Sequence, residues 1–476
     1  MNTPNVKHTL ISEYDRLCAD CLPIPSPTSI WRFNRLPSVT DLDQGWKLHV
    51  SATVLTASDV LRRVADVLQL SEARYKAPAS LQTLHQINSG LAYGYSQVGK
   101  FITVYPQSPE EALLLAERLD KVTAGFVAPR IPFDRHYRVG SCVYYRYGAF
   151  KRREIPNANG ANTPVIRTPD GSLVPDDRQS TAQPAWVSDP FARNQNVDEP
   201  NVGSLLSTQF RVFEALAQRG KGGVYKAYNL GMSPPVLCVL KEGRPGGEVG
   251  WDQLDGVARI RQEEQVLRSL NEAGIPVPKV YSCFETEGNY YLALEYMKGE
   301  TLQSLLYKRQ RKLPLKRALE FASSLSSLIM SIHSAGWAWR DCKPANIMIT
   351  KAGVLRPFDF EGACRADCRE TSRWGTAGFS PAVKVDSDRH AEAKCDDLYA
   401  LGAIIYLLLK GTVPEQPSAN PDQKLERQIP TQLRDIISDL LSADSGKRPD
   451  ACLVNSQLRQ LLADYQPARL RRRARS

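Results

Sequence analysis

The chain has 476 residues, and its 61 Lys+Arg against 51 Asp+Glu give a formal net charge of +10. Hydrophobic residues make up 42% and charged residues 24%, which excludes a wholly disordered, collagen-like or coiled-coil chain. At roughly 100–200 residues per domain, the length predicts two to four domains, each able to bury a core.

Residues 1–40 read as an irregular N-terminal arm punctuated by Pro23, Pro25, Pro27 and Pro37. Lys7, Glu13, Asp15 and Arg16 leave no room there for an apolar signal segment, so the expected localisation is cytoplasmic. Cys18 and Cys21 have zinc-ligand spacing, but no second pair completes a site, and reduced free thiols are the expectation.

Residues 41–150 read as a globular α+β unit. Trp46 to Thr53 alternates as a strand, Ala57 to Leu68 has helical periodicity, and Lys100 to Tyr105 reads as a second strand. Glu110 to Val122 predicts an amphipathic helix and Val143 to Phe150 an aromatic strand. Residues 151–207 are rich in Pro, Asn, Asp, Ser and Arg and read as a linker or extended wrap. A second globular unit, strand-rich and then helical, occupies 208–465. Its longest apolar run, Leu401 to Leu409, is far short of the ~20 residues of a membrane span. Residues 466–476 form a basic tail with five arginines and no acid. A solvated terminus is its expected state, and without a basic stripe interleaved with aromatics nucleic acid is not an expected partner.

Within the first unit, Lys47 and His49 lie two apart on a strand and so share one face, while Trp46, Leu48 and Val50 point the other way into a core. Lys76, Lys100 and Tyr105 follow, and then Arg135, Arg138 and Arg146. A site that gathers lysines, arginines, a histidine and a tyrosine suits a polyanion and proton transfer. The arginines are candidates for phosphate binding because guanidinium grips phosphate bidentately. His85 and His136 are expected to be structural.

The second unit carries a set of motifs in order: Trp339-Arg340-Asp341-Cys-Lys343-Pro-Ala-Asn346, then Phe358-Asp359-Phe360-Glu361-Gly362. Phosphoryl transfer needs a carboxylate at the attacking hydroxyl, metal ligands under the phosphates and a cation to offset charge. Asp341 fits the first role, Asn346 and Asp359 the second with Mg²⁺, and Lys343 the third. Upstream, Lys241 ends a strand and would meet the α/β-phosphates of ATP or another NTP. Its ion-pair partner on the helix over 254–270 is Glu263, with Glu264 the alternative. Gly220-Lys-Gly222-Gly223 reads as a shortened glycine loop, and Leu294-Glu295-Tyr296-Met297 as the hinge against the nucleotide. Together these resemble the eukaryotic-type, bilobal protein kinase fold. Trp339 replaces the usual histidine, and Glu361 the usual glycine.

The motifs Trp46-Lys-Leu-His-Val-Ser-Ala, Gly99-Lys-Phe-Ile-Thr-Val-Tyr-Pro and Tyr145-Arg-Tyr-Gly-Ala-Phe resemble the lyase domain of class III lanthipeptide synthetases. That domain is similar to bacterial phosphothreonine lyases. The resemblance implies a phosphothreonine-lyase-like α+β domain before the kinase. It implies a bifunctional peptide dehydratase: the kinase phosphorylates Ser/Thr of a precursor peptide with a leader, and the lyase eliminates the phosphate to give dehydroalanine or dehydrobutyrine. Lys76 would be the base and His49 the acid. Lys47 would stabilise charge on the substrate carbonyl with Tyr105 assisting, and Lys100 would help hold phosphate. The family's C-terminal cyclase has no counterpart after Tyr465, which leaves room for a separate cyclase as partner. The competing expectation is a signalling Ser/Thr kinase whose N-terminal unit only binds phosphate.

Overall fold

The computed structural model describes residues 3–151, 153–156, 160, 162–192, 205–309, 312–369, 374–381, 392–414 and 429–465; the basic tail lies outside them. The chain divides into two compact units, one of residues 1–258 with 283–291, the other of 259–282 with 292–476.

In the first unit the elements run α1 (Thr3–Cys21), β1 (Ile24–Pro25), β2 (Trp31–Phe33), β3 (Gln44–Val50), α2 (Ala57–Leu68), β4 (Arg74–Pro78), α3 (Leu81–Ser89), β5 (Ile102–Tyr105), α4 (Pro109–Thr123), β6 (Arg135–His136) and β7 (Val143–Ala149). The seven strands make one antiparallel sheet in the order β1-β2-β4-β5-β3-β7-β6. Trp46, Leu48 and Val50 enter the core with Val60, Leu61 and Val64 of α2 and Leu115 and Leu119 of α4. α2 has seven buried residues on one side, as a 3.6-residue period requires. Ser80 and Ser108 cap α3 and α4 by accepting the amides of Thr83 and Glu111.

The N-terminal arm differs from the expectation, and the stretch after residue 150 takes the second of its two expected forms. The N-terminal arm is not irregular: α1 seats Tyr14, Cys18 and Leu22 in the same core, and β1 and β2 extend the sheet. Pro23, Pro25, Pro27 and Pro37 follow the helix, and Pro25 lies on the edge strand, where a missing amide costs no ladder bond. Residues 151–192 supply β8 (Glu154–Pro156), β9 (Asn162–Arg167) and β10 (Leu173–Pro175), a small antiparallel sheet in the order β10-β9-β8. They end at Phe191, which is fully buried, stacks on Tyr145 at 4.0 Å and meets Trp46 edge-on at 5.7 Å. This stretch therefore wraps the α+β domain and completes its core.

Onward run α5 (Leu205–Gln209), β11 (Phe210–Arg219), β12 (Gly222–Asn229), β13 (Val236–Gly243), α6 (Gly256–Glu272), β14 (Val280–Thr286) and β15 (Asn289–Glu295). The five strands form the kinase-like sheet in the order β11-β12-β13-β15-β14.

The second unit is mainly helical: β16 (Glu300–Thr301), α7 (Leu302–Arg309), α8 (Leu315–Ser334), β17 (Trp337–Ala338), β18 (Ile347–Ile349), β19 (Leu355–Pro357), β20 (Cys364–Arg365), α9 (Lys394–Lys410), α10 (Thr431–Leu440) and α11 (Ala451–Ala463). α8 packs against α9 and α11, and α9 is buried almost all round, so its continuous apolar run is a core helix. The whole is a multidomain α+β chain: an α+β domain, then a kinase domain with a sheet-rich N-lobe and a helical C-lobe. Among the described residues no helix is long and apolar enough to cross a membrane. All ten cysteines are free thiols.

Candidate active sites

Antiparallel register builds the first site. Residues directly opposite one another share a face, and Lys76 on β4 and His49 on β3 both face Thr103 on the β5 strand between them. One step along, Arg74 faces Tyr105 and Lys47 faces Arg146. All these positions alternate with the core residues, so the polar face of the sheet collects them. Here it forms a cleft of about 350 Å³ lined by Lys47, His49, Lys76, Lys100, Tyr105 and Arg146, with Trp31, Phe150, Lys151, Arg153, Glu154 and Arg178 among the other walls. So many cations around one carboxylate suit an anionic guest.

Asp134 anchors the floor. Its Oδ2 lies 2.5 Å from His49 Nδ1 and its Oδ1 3.2 Å from Lys100 Nζ. Burial opposes its charge, yet Lys100 and His49 hold its carboxyl down at about 2. An ionised carboxylate only accepts hydrogen bonds, so His49 donates from Nδ1 and keeps Nε2 as an acceptor. Burial pushes the His49 imidazole down to about 3 against the pull of Asp134, so the cleft holds it neutral. Burial also lowers Lys76 to about 8, helped by Arg178 and Arg74. Lys47 is pushed well down by burial; Asp176 opposes this, and Arg146, Arg178 and Lys76 add to it. Lys100 is lowered by burial against Asp134. The buried Tyr105 phenol is pushed up and stays protonated.

Two of the expected phosphate ligands are not brought to the cleft. Arg135 pairs with Asp189 at 2.8 Å, and Arg138 with the buried Asp120; neither lines the cleft. Arg146 does, and pairs with Asp176 at 2.6 Å. His136 lies against Tyr144 and His85 stacks on Trp251. Sequence reasoning missed Asp134, Asp176, Arg178 and Trp31. Asp134 directly precedes Arg135 and His136, and an acid among cations was the available signal. Asp176 and Arg178 lie in the stretch read as linker or wrap.

The second site is a loop network in the second unit. Asp341 Oδ2 accepts from Lys343 Nζ at 2.8 Å and Asn346 Nδ2 at 2.9 Å, and Oδ1 accepts the Thr376 hydroxyl at 3.0 Å. Asp397 on the buried α9 accepts the backbone amides of Trp339 and Arg340 at 2.8 and 2.6 Å, which fixes the loop. Glu263, fully buried, accepts the Phe360 amide at 3.0 Å, whereas Glu264 pairs with Arg268. Carboxylate oxygens of Glu263, Asp359 and Glu361 all lie within 4.8 Å of one another. That all-oxygen set suits a hard divalent cation, and Asn346, donating through its amide nitrogen, keeps its carbonyl oxygen for ligation.

Trp339 explains its own departure from histidine. Its indole N–H donates to the Asp359 carbonyl at 3.1 Å while its ring stacks on Phe360. Trp339 thus supplies a side-chain N–H to the loop that carries Asp359. Trp339→Phe removes that donor, worth ~1 kcal/mol, and phosphorylation rate is expected to fall about fivefold once the loop loosens. Trp339→His should keep most of it, as steady-state phosphorylation assays will read.

Lys241 is buried on β13 in register with Val224. The glycines beside it are already engaged. Gly220 N–H donates to Ser89 O at 3.2 Å at the end of α3, and a Cβ there would stand 1.7 Å from Asn88 O. Gly223 N–H donates to Glu242 at 3.0 Å, and a Cβ on Gly222 would stand 1.7 Å from Glu242 O. Arg244 joins Glu242 at 2.7 Å and reaches the Tyr95 hydroxyl, and Gly246 lies on Ala128 backbone. At the hinge, Glu295 is held ionised by Arg356 at 2.7 Å, and Met297 is buried.

These features define an α+β domain with a cation-lined cleft, followed in sequence by a protein kinase domain. A protein kinase domain matches residues 216–460, more than half of the chain, which therefore belongs to the protein kinase family. The RamC N-terminal domain matches residues 25–203. A probable SapB synthase of Streptomyces coelicolor is 31% identical over 385 residues, covering 78% of this chain and 40% of its own length. The serine/threonine-protein kinase PknA of Mycobacterium tuberculosis is 27% identical over 266 residues, covering 52% and 60% respectively. The chain thus spans between 40% and 60% of these relatives' lengths. Its pairing of domains fits a class III lanthipeptide synthetase-like enzyme.

Proposed function

We propose that this chain is a bifunctional peptide dehydratase. Its kinase domain phosphorylates Ser/Thr of a precursor peptide with ATP or another NTP and Mg²⁺, and its N-terminal domain eliminates the phosphate. The observation that carries the second half is the row Lys76–Thr103–His49 in a cation-lined cleft. A surface that only bound phosphate would have no need to bury a lowered lysine beside a carboxylate-held histidine.

In the kinase step Asp341 receives the substrate hydroxyl and takes its proton, and Lys343 steadies the transferring charge. Asn346 and Asp359 would hold Mg²⁺, which supplies charge neutralisation at the phosphates. Lys241 would meet the α/β-phosphates.

In the lyase step neutral Lys76 takes the Cα proton, the C–H electrons form the Cα=Cβ bond, and the Cβ–O bond breaks. Lys47 stabilises the negative charge that builds on the substrate carbonyl, with Tyr105 as a further donor. His49 accepts the proton of the phosphate monoanion at Nε2 and returns it to the bridging oxygen. The leaving group departs as hydrogen phosphate, held by Arg146, Lys100 and Arg178.

This chemistry fixes a pH profile. The productive pair is neutral Lys76 (about 8 when protonated) with a phosphate monoanion, whose second ionisation lies near ~6. Below ~6 the monoanion is complete and neutral Lys76 falls tenfold per unit; above ~8 Lys76 is fully neutral and the monoanion falls. Between them gain and loss cancel. We expect kcat/KM on a synthetic phosphopeptide to be level from about pH 6 to 8 and to drop about tenfold per unit on either side. Mass spectrometry of that phosphopeptide tests the proposal itself: loss of phosphoric acid supports it, and an intact phosphopeptide after complete binding overturns it in favour of a phosphate-binding module.

A further inference from the structure

Lys76 is capped on one side by a residue that nothing above employs. Trp31 on β2 lies diagonally from Lys76 across the β2–β4 ladder, where Phe33 faces Lys76 and Trp31 faces Pro78. Lys76 Nζ sits over its indole ring, 4.3 Å from the centroid. One position along, Arg74 sits over Phe33 at 4.1 Å. This short strand therefore presents an aromatic face to each of two cations on β4, and the Trp31 face forms a wall of the cleft.

We infer that Trp31 is the positioning residue of the elimination base, its indole face seating the ammonium that Lys76 becomes on taking the Cα proton. This rests on the proposed lyase reading. The chemistry runs one way. The charged groups that bear on Lys76 are cations, Arg74 from its own strand, Lys47 from β3 and Arg178 from the wrapping segment, while Glu154 of β8 is a carboxylate in the cleft wall. His49 is neutral, Tyr105 is protonated, and Thr103 is the strand neighbour. Asp134 and Asp176 are committed to His49, Lys100 and Arg146. A base in such company is readily kept neutral but is poorly able to hold the proton it takes. The negative face of an indole attracts an ammonium without adding a carboxylate that would bind the proton permanently, and indole is the strongest aromatic host for a cation. Trp31 thus stabilises the protonated product of the step more than the neutral base.

Fluorination tests this without changing the shape of the ring, because each fluorine withdraws density from the face. Trp31 would be replaced site-specifically by mono-, di- and trifluorotryptophan, with elimination from a synthetic phosphopeptide followed against pH. A weaker seat lowers the pKa of Lys76, so the alkaline limb near pH 8 should descend stepwise by about half a unit to one unit in total. KM and thermal unfolding should stay put. An alkaline limb fixed across the series, with Lys76→Ala still inactive, overturns the role of Trp31 and leaves the lyase reading standing. Normal elimination by Lys76→Ala overturns that reading, and the seat with it.

Discussion

Lys76→Ala is expected to stop elimination while phosphorylation continues, so that phosphopeptide accumulates in place of dehydrated product. The Cα proton of a peptide residue is weakly acidic, and in the Lys76–Thr103–His49 row Lys76 carries the more basic lone pair, the His49 imidazole being pushed far down by burial. Lys47 and Lys100 are also lowered by burial, but Lys100 is ion-paired to Asp134 and Lys47 faces Arg146. Loss of a positioned base removes on the order of a thousandfold in rate. His49→Ala should behave alike, since the leaving oxygen then has no relay and Asp134 is left without its imidazole. A synthetic phosphopeptide mixed with either variant should persist over the time in which the unsubstituted protein consumes it. Elimination at the normal rate by both would remove the assignment.

Asp359→Ala should abolish phosphorylation, and with it all downstream dehydration of unphosphorylated peptide. Its carboxylate lies with Glu263 and Glu361, and its carbonyl is held by the Trp339 indole. Removing it would take a charged ligand from the proposed Mg²⁺ site, where the transferring group most needs neutralisation. Rate is expected to fall by on the order of a thousandfold or more. Supplied phosphopeptide should still be eliminated, because the anion cleft uses none of these residues. Radiolabel transfer to peptide reads the first half, and mass spectrometry of the phosphopeptide the second. Residual transfer near the unsubstituted rate would show that Asp359 is misplaced.

Much of both sites was legible because strand alternation and motif order are local properties. Gly45-Trp46-Lys47-Leu48-His49 declares its two faces by itself, and α2 begins and ends where its periodicity does. Asp341, Asn346 and Asp359 follow one another in the order and spacing by which the chain resembles protein kinases. What was not legible depends on distant partners. His49 and Asp134 are 85 residues apart, and no pattern in either segment announces the other. Arg135, Arg138 and Arg146 look alike in sequence, yet Asp189 and Asp120 hold the first two elsewhere. Strands of two or three residues such as β1 and β2 are too short for any period to appear, which hid the domain's edge and Trp31 with it. The neutrality of His49 was equally hidden, since burial decides it.

The seat of Gly220 against the end of α3 bears on how such chains can be recombined. The kinase-like hairpin touches the α+β domain backbone to backbone: Gly220 N–H on Ser89 O, with no space for a side chain before Asn88 O, and Gly246 against Ala128. A chimera that joined this N-terminal domain to a kinase from another source, cut anywhere in the 193–204 stretch, would preserve chain continuity, yet it would tolerate only glycine at 220 and 246. Any side chain there would collide with main-chain atoms that cannot rotate away. A transplantable module therefore ends beyond Gly246, inside what the motifs alone would assign to the kinase, and the glycines are inherited together with the helix end they rest on.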